Sequence, residues 1–202
     1  SYDDFRNNLS ALLEKARDLY PSAPLVLYGH SMGGGIVLDH GLSAQDEIPI
    51  IASAPLITLA KPVPKLLQGL TRILGRLSAK GAMKQPIDGA KVSSLPAEQT
   101  LYMSDPLNHG TMGFRLAVGL FDVGGKIASQ AAKWERPLLL LHSQADQLTG
   151  FEGSENFAQS AKQVDFHAFK TSQHEMHNDA PRDEVYKLMT DFILKYSAPK
   201  TS

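Results

Sequence analysis

Cysteine is absent from the 202 residues. That excludes disulfides, thiolate metal sites and a cysteine nucleophile, and it fits a reducing compartment. An excess of charge of either sign is also missing. Twenty Lys and Arg face twenty-one Asp and Glu, a net charge of −1, so the whole-chain balance gives no footprint for nucleic acid. No apolar run approaches the length needed to span a membrane. The opening Ser1-Tyr2-Asp3-Asp4 is neither a secretory signal nor an initiator methionine. Acidic residues are missing from one long stretch, Ile48 to Ile87. What is present is ordinary for one globular domain: 43% apolar and 20% charged residues. The expected location is cytoplasmic, with peripheral membrane contact.

Residues 2–20 place Phe5, Leu9, Leu12, Leu13, Ala16 and Leu19 at helical spacing, and Pro21 and Pro24 close that helix. Leu25 to Tyr28 is a short apolar run bounded by proline and glycine, which predicts a buried strand. Gly29 to Gly35 reads as a tight turn, Ile36 to Leu42 as a helix and Ile48 to Ser53 as a second strand. Pro137 to His142 predicts a third strand, 151–162 a helix, Val164 to Phe169 a fourth strand and 182–196 a closing helix. Buried strands alternating with helices give a parallel sheet covered on both faces. Residues 56–135 break this alternation. The expected division is a core of 1–55 and 136–202 with a mostly helical cap at 56–135.

Gly29-His30-Ser31-Met32-Gly33 matches G-x-S-x-G between a predicted strand and a predicted helix, the context that this motif requires. A serine nucleophile must project above the strand ends from a sharp, strained turn. Side chains at Gly29 and Gly33 are expected to collide with neighbouring backbone, and Gly34 and Gly35 to let the following helix pack closely. The N-terminus of that helix points at the site, where the backbone N–H of Met32 can hold an oxyanion. The glycines do not form G-x-G-x-x-G. Gly119 to Lys126 fails as a phosphate loop, because Gly125 stands where the lysine belongs.

A serine needs a base, and the base needs a group to orient it. With chain order serine, acid, histidine, the acid follows the third strand. Asp146 does so, in His142-Ser143-Gln144-Ala145-Asp146. The base follows the fourth strand, where His174 and His177 both stand. His174 is nearer the strand end. Their spacing of i, i+3 is not that of a zincin, and no metal is called for. His30 lies within the elbow, and His40, His109, His142 and His167 read as structural.

Gly-His-Ser-Met-Gly-Gly, an Asp after Leu-Leu-Leu-Leu-His, and Gln-His-Glu-Met-His-Asn together resemble the monoacylglycerol lipase and lysophospholipase branch of the α/β-hydrolases. Tyr102 to Leu107 resembles that branch's cap. The resemblance covers nearly the whole chain. It implies an α/β-hydrolase fold, a Ser31, Asp146 and His174 triad, and hydrolysis of single-chain acyl glycerols or related small acyl esters without a cofactor. Family members begin with further strands, which carry a His-Gly loop supplying a second oxyanion N–H. This sequence lacks that segment, so the expectation is a fragment, or a fold whose missing strands come from another chain. The Leu25–Tyr28 strand would then be an unpaired apolar edge.

Within the acid-free stretch, Val63, Leu66, Leu67, Leu70, Ile73, Leu74 and Leu77 repeat at helical spacing, with Lys65, Gln68, Arg72 and Arg76 opposite. A basic amphipathic helix suits an anionic membrane surface. It suits equally a cap helix whose apolar face covers the site. Rival activities on the same serine are an aminopeptidase, a thioesterase or an acyltransferase. A rival of another kind is a non-catalytic, hydrolase-like binding domain.

Overall fold

The structure is a computed structural model that describes residues 1–78 and 80–197. Helix α1 (Tyr2–Leu19) leads to strand β1 (Leu27–His30), helix α2 (Met32–Ser43) and strand β2 (Ile50–Ser53). Then come α3 (Lys65–Leu77), β3 (Ala82–Lys84), α4 (Gly89–Val92), α5 (Pro96–Ser104), β4 (Thr111–Gly113) and α6 (Phe114–Gln130). The chain closes with β5 (Leu138–Ser143), α7 (Phe151–Ser160), β6 (Val164–Phe169) and α8 (Arg182–Ser197). Among the described residues, no helix is long and apolar enough to cross a membrane.

Strands β1, β2, β5 and β6 form one parallel sheet in the order β1-β2-β5-β6. Parallel neighbours need crossovers, and the helices between them supply these. Alternation along the strands builds two cores. Ile50, Ala52, Leu138 and Leu140 face α2, α6 and α7, where Leu38, Ile127, Trp134 and Phe157 pack. Ile51, Leu139 and Leu141 face the other way, against Phe169, Met176, Val185 and Phe192. The leucines of β5 are buried on both faces, which is why that strand reads as an unbroken apolar run rather than an alternation.

Three sequence expectations are corrected. Strand β1 begins at Leu27, not Leu25, and runs on through Gly29 and His30, because pairing with Ile50–Ser53 continues that far. The turn is therefore confined to Ser31, and Gly33 to Gly35 are already helical. In α1 the packed line is Tyr2, Leu9, Leu13 and Ala16, while Leu12 and Leu19 are 62% and 58% exposed on its flank. A further element was not anticipated: β3 and β4 pair antiparallel, Met83 opposite Met112. Strands of three residues are too short to show a period.

A buried carboxylate ties the helices on one face together. Asp39 of α2 accepts from Lys126 Nζ of α6 at 2.5 Å and from Tyr2 Oη of α1 at 3.2 Å, with Arg6 Nε at 3.3 Å. Burial raises the Tyr2 phenol well above its ordinary pKa, and the Asp39 charge pushes it further, so Tyr2 remains a donor.

Candidate active site

Strand β1 delivers Ser31 to the C-terminal edge of the sheet. Ser31 has φ 56 and ψ −118, a region that residues with a Cβ seldom occupy and that costs about 1–3 kcal/mol. The turn is strapped in place. Ser31 N–H donates to Ser53 O at 2.9 Å, and Ser31 O accepts from Gly35 N–H at 3.1 Å and Leu56 N–H at 2.9 Å. A Cβ on Gly29 would stand 2.3 Å from Gly33 O, so only glycine fits there. Cβ atoms on Gly34 and Gly35 would lie 2.8 Å from Pro55 Cα and 2.9 Å from Leu56 O, the close helix packing expected. Gly33 departs from expectation. A Cβ there meets nothing within 4 Å, because the tight side of the turn is the Gly29 side. Met32 opens α2, where N–H groups lack an i−4 acceptor within the helix. Its N–H therefore has no acceptor within the helix.

Asp146 lies just beyond β5 in a dense cradle of donors. Its Oδ1 accepts the N–H groups of Leu148 at 2.7 Å and Thr149 at 3.1 Å. Its Oδ2 accepts from Thr149 Oγ1 at 2.8 Å and from His174 Nδ1 at 2.7 Å. Burial alone would raise the pKa of this carboxyl. Hydrogen bonds from His142 and His174 outweigh burial and hold it far below the usual carboxylate range. Asp146 is therefore ionised and accepts only. His174 Nδ1 thus carries the hydrogen of that bond.

The loop bearing His174 is pinned on several sides. His174 N–H donates to Lys91 O at 3.2 Å, and Glu175 N–H to Val92 O at 2.8 Å, both on α4. Gln173 N–H donates to Asp179 Oδ2 at 2.6 Å, and Ser94 Oγ donates to the other oxygen of the same carboxylate. Ser143 Oγ at the end of β5 donates to Ser172 O, joining the loop of Asp146 to the loop of His174.

The structure thus brings Asp146 and His174 into a direct hydrogen bond. His177 instead lies edge-on to His30, its Nδ1 buried without a hydrogen-bond partner among the described residues. His30 joins the elbow to this group, its ring centroid 4.7 Å from that of His174. Among the described residues, the Ser31 hydroxyl makes no hydrogen bond to His174. His30 is held neutral: burial pushes its pKa well below the ordinary value, and the neighbouring His174 and His177 push it further. His142 and Thr149, both against Asp146, were not expected at the site; the four-residue interval from His142 to Asp146 across a strand end was the one available signal. No group of three or more His, Asp or Glu side chains among the described residues is arranged to hold a metal ion.

A largely apolar cavity of about 640 Å³ opens beside the elbow, lined by residues of α3, α6 and the paired strands β3 and β4. Leu56, whose N–H holds Ser31 O, is part of its wall. Helix α3 meets α6 through Thr71 and Gly75 and the paired hydrogen bonds of Arg72 to Asp122, at 3.0 and 2.5 Å. Its stripe of Leu66, Leu70, Ile73 and Leu77 is exposed.

A family model described as serine aminopeptidase, S33, matches residues 1–181. The monoacylglycerol lipase of Mycolicibacterium smegmatis is 28% identical over 197 residues, which cover 96% of this chain and 70% of that one. The human monoglyceride lipase is 30% identical over 175 residues, which cover 80% of this chain and 55% of that one. This chain thus spans little more than half of the human relative. Among solved structures, the monoacylglycerol lipase of Paleococcus ferrophilus superposes with a TM-score of 0.88 at 24% identity, covering 98% of this chain and 76% of the other.

Proposed function

The chain is an α/β-hydrolase of the serine aminopeptidase S33 family, and on that footing we propose that it hydrolyses carboxylic esters of lipids, single-chain acyl glycerols or lysophospholipids, through an acyl-enzyme on Ser31. The observation that carries this reading is the 2.7 Å hydrogen bond from His174 Nδ1 to an ionised Asp146, in a chain whose Ser31 stands on a strained elbow.

In the first half-reaction, His174 Nε2 takes the Ser31 proton as Oγ bonds to the ester carbonyl carbon. The carbonyl oxygen becomes an oxyanion, held by the Met32 N–H at the start of α2. Asp146 stabilises the imidazolium without taking its proton. Collapse breaks the bond to the leaving alcohol, which receives the proton from His174. Water then repeats the sequence on the acyl-enzyme, releasing the fatty acid and restoring Ser31. Ser31→Ala removes the nucleophile and should abolish hydrolysis of monoacylglycerol. Undiminished turnover in that variant sinks the reading.

The family's name raises the aminopeptidase alternative. The cavity supports the ester reading instead. It is mainly apolar, it contains Lys84 and it contains no carboxylate, so a substrate ammonium would lack a counter-charge there. A matched ester and amide of one acyl group separate the two: the ester should be the faster substrate.

The exposed apolar stripe of α3 adjoins Lys65 and Arg76, and we infer that it rests on an anionic membrane surface, beside the cavity that receives the acyl chain. Sedimentation with phosphatidylglycerol vesicles should carry the protein down, phosphatidylcholine vesicles less so, and Leu70→Glu should weaken both. Equal sedimentation of wild type and Leu70→Glu argues against this contact.

A further inference from the structure

Asp146 has a second histidine on it. His142, in β5, is fully buried, with Nε2 3.3 Å from Asp146 Oδ2. Its other ring nitrogen, Nδ1, lies 2.7 Å from Oγ of Ser154, itself fully buried on α7. Thr149 Oγ1 sits between the two sides, 2.8 Å from Asp146 Oδ2 and 3.3 Å from His142 Nε2.

The proton positions follow from what each group can do. A carboxylate has no hydrogen to give, and a ring lone pair aimed at it would be repelled. His142 must therefore present Nε2–H to the Asp146 and Thr149 oxygens. A neutral imidazole then keeps its lone pair on Nδ1, where the Ser154 hydroxyl donates. One chain of donors results, from Ser154 to His142, from His142 Nε2 to Thr149 Oγ1 and from Thr149 to Asp146 Oδ2, the oxygen that also receives His174 and that lies 3.3 Å from His142 Nε2. A second imidazole would be an expensive way to fill space in this position, since every polar atom of a buried ring needs a partner.

We propose that His142, oriented by Ser154, is a positioning residue for acyl transfer, holding the Asp146 carboxylate ionised and aimed at His174. The inference rests on Asp146 being the acid of the proposed site. Its consequence is electrostatic. Each donor on Oδ2 draws off part of the charge that His174 feels. The ionisable groups facing His174 are Asp146 from the loop after β5, His30 from the elbow and His177 from the following turn. Among the described residues, the ionisable group next to His142 is Asp146. Loss of the His142 donor should therefore move the acid limb of kcat/KM upward.

The test compares His142→Leu, which fills the space without a donor, with His142→Gln, which keeps an N–H. His142→Leu should lower kcat by about ten-fold with little change in KM, the scale of one hydrogen bond to a charged group. It should move the acid limb of kcat/KM to higher pH, and His142→Gln should recover most of both changes. A folded His142→Leu with the kcat and pH profile of the wild type overturns the proposal. Long-range proton–nitrogen NMR of the wild-type protein provides a second test that needs no His142 variant. The neutral form of the ring that responds to Ser154→Ala should carry its hydrogen on Nε2; a neutral Nδ1–H tautomer overturns it. Ser31→Ala, assayed alongside, separates the two readings. If it is inactive while His142→Leu behaves as wild type, only the positioning role fails. If Ser31→Ala remains active, the acyl-transfer site itself fails.

Discussion

The imidazole of His30 packs against that of His174, ring centroids 4.7 Å apart and planes tilted by 51°. The residue before Ser31 thus becomes part of the wall behind His174. His177 closes on His30 from the other side, at 4.9 Å. Both neighbouring rings are largely buried, and a cation on either would oppose positive charge on His174.

Burial lowers the pKa of both His30 and His177 below the ordinary histidine value. The unfolded chain, with histidines near about 6.5, binds more protons than the folded one below that pH. The stability gained by keeping these rings neutral is complete above about pH 6.5 and is lost progressively as pH falls below it. Urea unfolding at about pH 7.5 and 5.5 should show a lower midpoint at the acid value, and His177→Asn should narrow the difference. A difference that His177→Asn leaves unchanged would mean that His177 has no part in it.

The two elbow glycines should respond oppositely to alanine. Gly29→Ala puts a Cβ 2.3 Å from Gly33 O and should cost at least about 1–3 kcal/mol and most activity. Gly33→Ala meets open space within a helix and should leave stability equal or higher, by up to about 1 kcal/mol. Thermal unfolding of both variants measures this.

Lys126→Met withdraws one of the cations from buried Asp39 while Arg6 and Tyr2 stay in place. The expected cost is about 1–3 kcal/mol, the range for a hydrogen bond to a charged group. Denaturant titration should show a lower midpoint at an unchanged slope.

The parts of this structure that were legible in the sequence are those whose signal is local. Leu138–Leu141 are buried on both faces, so composition alone marks the strand. Gly29 to Gly33 carries its chemistry in five consecutive residues, and Asp146 and His174 follow from the order of strands. What was not legible depends on contacts between distant segments. The start of β1 is set by its partner Ile50, and nothing in Leu25-Val26 reveals that. The antiparallel pair of Ala82–Lys84 with Thr111–Gly113 joins segments that carry no period of their own. The flank of α1 bearing Leu12 and Leu19 looked like core because hydrophobic spacing shows a stripe but not what faces it. His142 reads as a strand-end histidine until Ser154, twelve residues on, is seen beside it.

The central claim is that Ser31 is an activated nucleophile, and labelling with a fluorophosphonate followed by peptide mass spectrometry tests it most directly. A single phosphonyl adduct should form on Ser31, be lost in His174→Ala and be strongly slowed in Asp146→Asn. An unlabelled Ser31, or an adduct that forms as fast without His174, would contradict the claim.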